Sequence, residues 1–209
     1  MKHLVLATLL AAISASSQAA VVATNSEYAI FDSAQATRAL NVATHGTITD
    51  LNVILEFSKC DDPGMPANGT ACIGNGNAYN NEILFSLTSP NGTTVDLITA
   101  NTYTSGSAGI GRITLTLDDA AFTAAGGNAL VGGSFRPTGT LSSFNGMDMF
   151  GSWTLFVGDN AGGDPLTYFR SSLNITTAAA AAQIPEPGSL MLLGLGLAGL
   201  LGARRRKQA

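Results

Sequence analysis

Short stretches that alternate apolar and polar residues, each closed by Gly, Asn or Asp, constrain this chain more than any other feature. Residues 112–117 read RITLTL, 83–88 read ILFSLT and 152–157 read SWTLFV. A period of two sends successive side chains to opposite faces of a strand. Residues 48–57 (ITDLNVILEF) carry Leu51, Val53 and Leu55 in step, and 93–98 (TTVDLI) and 168–175 (YFRSSLNI) complete the set. Between two of these runs lies Ser89-Pro90-Asn91-Gly92, and Asn-Gly between strand-like runs is a strong hairpin signal. Convincing helical periodicity is absent from the body, although 118–125 (DDAAFTAA) suits one helical turn. The expectation is an all-β fold, a β-sandwich or jelly roll.

The two ends obey different rules. Met1-Lys2-His3, an apolar run and the small exit Ser16-Ser17-Gln18-Ala19-Ala20 are the three parts of a secretory signal peptide. Cleavage by signal peptidase after Ala19 or Ala20 fits, with a signal helix before it. At the other end Pro185-Glu186-Pro187 breaks the chain, and 189–203 is an uncharged run of 15 residues. Arg204, Arg205, Arg206 and Lys207 follow it. As a helix the run spans about 22 Å, short of the roughly 30 Å hydrocarbon core. The basic cluster belongs on the cytoplasmic side, so the body belongs outside. These three parts in this order resemble the PEP-CTERM sorting signal of Gram-negative bacteria. The resemblance implies processing by an exosortase, transient anchoring in the inner membrane through the short helix, and delivery to the cell surface or beyond. The expected organisation is a signal peptide at 1–20, a β-sandwich at 21–176, an Ala-rich spacer at 177–184 and the sorting signal at 185–209.

Setting the ends aside changes the charge. Residues 21–184 carry 5 basic and 13 acidic side chains, a net charge of −8 against −4 for the whole chain. An acidic body argues against binding nucleic acid or an anionic membrane, and it permits cation binding. Export implies an oxidising compartment, so Cys60 and Cys72 are expected to form a disulfide closing a Pro-, Gly- and Asn-rich loop.

Catalytic groups are sparse. His45 is the one histidine outside the signal segment, and its Thr and Gly neighbours suggest a turn. The nucleophile-elbow, zinc-protease and phosphate-loop patterns are missing. Calcium is the chemistry that the acidic turns suit better, because hard cations take several oxygen ligands from carboxylate-bearing loops. Asp61, Asp62, Glu82, Asp159 and Asp164 are the candidate calcium ligands, with Asn75, Asn77, Asn80 and Asn81 beside the first group. The alternative is that Asn, Asp and Gly there are simply turn formers.

Several blocks also resemble the P domain, or P/Homo B domain, of subtilisin-like proprotein convertases. They are residues 48–53, the stretch from Asn81-Glu82-Ile83 to Ser89-Pro90-Asn91-Gly92-Thr93, Phe135-Arg136-Pro137 with Leu141 to Gly146, and Gly151-Ser152-Trp153-Thr154-Leu155-Phe156-Val157-Gly158-Asp159. Gly163-Asp164 then precedes a last strand. The chain departs from the family in having Asn81-Glu82 where Gly-Asp is usual, and Phe169 near a customary Trp. The resemblance implies an eight-stranded jelly roll, of the galactose-binding-like kind, that in its relatives stabilises a neighbouring protease domain. A protease domain is not expected between Ala20 and the first block, so a family label of serine peptidase is not expected to transfer as activity. The function expected is a non-catalytic surface or matrix module sorted by exosortase. The alternatives are an accessory acting in trans with a secreted subtilisin-like peptidase, or a module binding matrix polysaccharide. Trp153, among alternating apolar residues, is expected in the core.

Overall fold

The computed structural model describes residues 18–104 and 107–178. The signal segment before Gln18, most of the Ala-rich spacer and the sorting tail lie outside the described residues. The described residues form twelve strands: β1 (Gln18–Asn25), β2 (Ala29–Phe31), β3 (Gln35–Val42), β4 (Ile48–Lys59), β5 (Asn77–Ala78), β6 (Ile83–Thr88), β7 (Thr94–Ile98), β8 (Ser107–Ala108), β9 (Ile110–Leu117), β10 (Gly133–Phe135), β11 (Gly151–Asp159) and β12 (Leu166–Thr177). Short 3-10 helices occur at Asn80–Glu82 and Leu141–Phe144.

One sheet runs β1-β12-β4-β9-β10, with β2 also on β12, and the other runs β3-β11-β6-β7. Eight of these strands have five residues or more, four in each sheet. Taken in chain order, the first of the eight pairs with the last, the second with the seventh, the third with the sixth and the fourth with the fifth, all antiparallel. That nesting of hairpins folded across two sheets is the jelly-roll arrangement.

Alternation explains why the sheets stack. Along β6 every second residue is buried, and Ile83, Phe85 and Leu87 face inward. Leu51, Val53, Leu55 and Phe57 of β4 do the same from the opposite sheet. The rings of Phe57 and Phe85 meet across the interior with centroids 5.2 Å apart. Trp153 is fully buried, edge-on to Phe144 at 5.0 Å, and its indole N–H donates to the Met149 carbonyl at 2.9 Å. The expected hairpin joins β6 to β7: Gly92 N donates to Ser89 O at 2.9 Å, and Gly92 takes a φ of 89° that a side chain would resist.

One expectation needs revision. Residues 118–125 form no helical turn. Asp118 opens a single turn closed by Ala121 N at 3.1 Å, its carboxylate accepts from Ala120 N at 2.7 Å, and Ala124 bridges to Arg136. The short polar side chain competes for backbone donors that a helix would need. The neighbouring Asp119 accepts from the N–H groups of Leu141 and Ser142, which start the second 3-10 helix. β1 begins at Gln18, so that Gln18, Ala19 and Ala20 lie opposite Thr177, Thr176 and Ile175. Cleavage after Ala20 leaves Val21 to Asn25 paired with β12.

The Cys60–Cys72 disulfide is formed, with Cα atoms 5.5 Å apart. Closing a loop of this length contributes about 3 kcal/mol on the chain-entropy argument. Phe169 and Met65 pack on the bridge, and the Arg112 guanidinium lies 4.2 Å from the Phe169 ring centroid. Among the described residues no helix is long and apolar enough to cross a membrane.

Candidate functional site

Both inward faces end in charge at one end of the sandwich. On β4 the step Leu51, Val53, Leu55, Phe57 continues to Lys59. On β11 the step Trp153, Leu155, Val157 continues to Asp159. Lys59 pairs with Leu166 of β12, and Asp159 pairs with Ile83 of β6, so the two charges face each other from opposite sheets. The Lys59 Nζ lies 2.7 Å from Asp159 Oδ2, 3.0 Å from Glu82 Oε2 and 3.0 Å from Asp164 Oδ2. It also donates to the Asp164 main-chain carbonyl. The Lys59 and Asp159 side chains have no exposure, and those of Asp164 and Glu82 keep 3% and 13%. The carboxylates are held in turn by the backbone. Leu166 N donates to Asp159 Oδ2 at 3.0 Å, and Tyr79 N donates to Asp164 Oδ2.

Burial works against the ammonium, yet the hydrogen bonds to Asp159, Asp164 and Glu82 outweigh it and raise its pKa above that of an ordinary lysine. Burial raises the pKa values of Glu82 and Asp159, and the ammonium reverses this only in part. Three carboxylates around one ammonium carry a formal charge of −2 in a nearly dry place.

The structure thus brings together three of the five candidate calcium ligands, Glu82, Asp159 and Asp164, around the Lys59 ammonium. Asp61 and Asp62 lie in the disulfide loop and bond elsewhere. The Asp61 carboxylate accepts from Gly76 N at 2.7 Å, and Asp62 N donates to Gly163 O at 3.1 Å. A Cβ on Gly76 would come within 2.6 Å of the Asp61 carboxyl carbon, so only glycine allows that approach. Lys59 went unnoticed in the sequence, although its place in the inward step of β4 is a readable signal.

A second group lies at the other end of β11, about 26 Å away by strand rise. His45 Nδ1–H donates to Asp148 Oδ2 at 2.6 Å, and the N–H groups of Gly46 and Phe150 donate to Asp148 Oδ1 at 3.0 and 3.2 Å. Those bonds, the one from His45 first, lower the Asp148 pKa to about 2. The His45 ring stacks on Phe150 with centroids 4.2 Å apart. Beside them Ser89, Pro90, Asn91, Met147, Asp148 and Phe150 line a cavity of about 330 Å³. The Ser89 hydroxyl is bonded inside its own turn, to Asn91 Oδ1 at 2.5 Å and to the Thr93 backbone.

Residues 183–207 match the PEP-CTERM protein-sorting motif. The motif indicates an exported protein that is sorted toward the cell surface. No curated protein matches the chain. Among solved structures, the chain is similar to the serine protease of Aeromonas sobria in complex with its chaperone, at 14% identity and a TM-score of 0.38. It is also similar to the serine protease of Aeromonas sobria alone, at 13% identity and a TM-score of 0.34. The matches cover 76% and 75% of this chain and 27% of each matched chain. The chain therefore spans about a quarter of the length of these structures.

Proposed function

We propose that the chain is a non-catalytic, P/Homo B-like β-sandwich that an exosortase delivers to the outer surface or extracellular matrix. The observation that carries this reading is the sorting motif at 183–207, on a chain whose body is a two-sheet sandwich. The chemistry of the side chains supports a non-catalytic role. A histidine base needs a nucleophile within hydrogen-bond reach. Asp148 holds His45 through Nδ1, which leaves Nε2 as the nitrogen able to act as a base, but the Ser89 hydroxyl of the same region is bonded within its own turn and not to that ring. The buried carboxylates are committed to Lys59. Fractionating cells that express the full chain, or the chain lacking 185–187, tests the route. The full chain is expected at the surface or in the medium, and the deletion variant retained in the membrane. The same location for both overturns the reading.

The cavity beside Phe150 favours matrix polysaccharide as the ligand. Its volume lies at the lower end of the about 300–1,000 Å³ usual for ligand pockets. Phe150 is 47% exposed, and the stacked His45 ring holds it in place. An aromatic face flanked by Asn91 and Asp148 suits the apolar face and hydroxyl edge of a sugar ring. Phe150→Ala is expected to weaken retention on a matrix-polysaccharide column at least tenfold. Unchanged retention counts against this ligand.

A further inference from the structure

We propose that the Lys59 ammonium is the resident cation of the Glu82–Asp159–Asp164 cage, a built-in substitute for a bound metal ion that makes the sandwich independent of calcium. Four oxygen atoms converge on the Nζ: one from each carboxylate, and the Asp164 main-chain carbonyl. Carboxylates and a backbone carbonyl are the kinds of oxygen that a hard cation takes from a protein, four being part of the roughly six to eight that surround calcium. The centre of the set is filled by the chain itself. With the Nζ 2.7–3.0 Å from the three carboxylates, a calcium ion cannot share those oxygens, since it needs them at about 2.3–2.6 Å.

The cage also joins the sheets. Lys59 ends β4 in one sheet, Asp159 ends β11 in the other, and Glu82 immediately precedes β6 beside it. Asp164 comes from the loop that leads into β12. The cation at the centre thus ties four chain segments at one end of the jelly roll. Charge separates the two possible occupants. One ammonium leaves the cage at −2, whereas a divalent ion in its place would leave it at −1. Shortening Lys59 should therefore uncover a calcium site that the natural chain keeps closed.

The test is thermal melting of the full chain and of Lys59→Ala, each in millimolar calcium chloride, in chelator, and in sodium chloride of matched ionic strength. The natural chain is expected to melt at the same temperature in all three. Lys59→Ala is expected to melt roughly 10 °C lower in chelator and to recover most of that loss in calcium but not in sodium. If the variant does not fold in chelator, refolding from urea is expected to succeed only when calcium is present. A calcium-induced rise in the natural chain overturns the proposal. So does a variant that calcium fails to restore.

Discussion

Lys59→Met is expected to cost the sandwich about 3–5 kcal/mol at neutral pH, read from urea unfolding followed by circular dichroism. Methionine fills much of the space of the lysine stem, so the loss comes from charge and not from a void. Glu82, Asp159 and Asp164 would be left buried with no counter-charge, and removing one partner of a buried ionic group costs far more than the group adds when intact. The loss should shrink on acidification. Burial already raises the pKa values of Glu82 and Asp159, so their protonated forms are favoured in the folded state. A carboxylate with a folded pKa above its unfolded one makes stability fall as pH rises through that interval. Without the ammonium the interval widens upward, so the variant should recover stability as the pH is lowered from neutral. A variant as stable as the natural chain at neutral pH would mean that the cage contributes nothing to holding the sheets.

Trp153→Ala is expected to cost about 3–5 kcal/mol. The side chain has no exposure, packs edge-on to Phe144, and gives the Met149 carbonyl its indole donor. Alanine leaves a cavity between the sheets and a buried carbonyl without that donor, and the two losses add. Trp153→Phe keeps most of the volume and should cost clearly less. Since Trp153 is the one tryptophan in the sequence, unfolding of these variants has to be followed by circular dichroism. Equal stability of the natural chain and Trp153→Ala would contradict its place in the core.

Much of the fold could be read in the sequence, because period-two alternation directly reports one buried face. The runs at 83–88 and 112–117 fall within β6 and β9, and the Asn-Gly turn lies where the hairpin signal put it. β3 escaped for a physical reason. Its inward step is Arg38, Leu40 and Val42, and a charge on the core face disguises the alternation. The Arg38 guanidinium is accommodated between the rings of Phe31, on the preceding strand, and Tyr168, on the distant β12, at 5.5 and 5.3 Å. β1 was hidden by the apolar signal segment that runs into it. β2, β5, β8 and β10, with two or three residues each, are too short to show a period.

The same disguise hid the centre of the cage. The acids of the turns were noticed because carboxylates near Gly and Asn resemble cation ligands. What they surround was missed, because a lysine at the end of an apolar run reads as the exit from a strand. Only the pairing of β4 with β12, and of β11 with β6, shows that Lys59 and Asp159 end the two inward faces at the same level. Separation in sequence also explains Asp61 and Asp62. They are carboxylates like the others, but the disulfide loop carries them to Gly76 and Gly163 instead of the cage.

The most direct measurement is a crystal structure of the protein grown from calcium chloride. The account expects the Lys59 Nζ among Glu82, Asp159 and Asp164 at about the 2.7–3.0 Å found here, with no ion between them. An ion coordinated by those three carboxylates at about 2.3–2.6 Å, with Lys59 turned away from them, would contradict it.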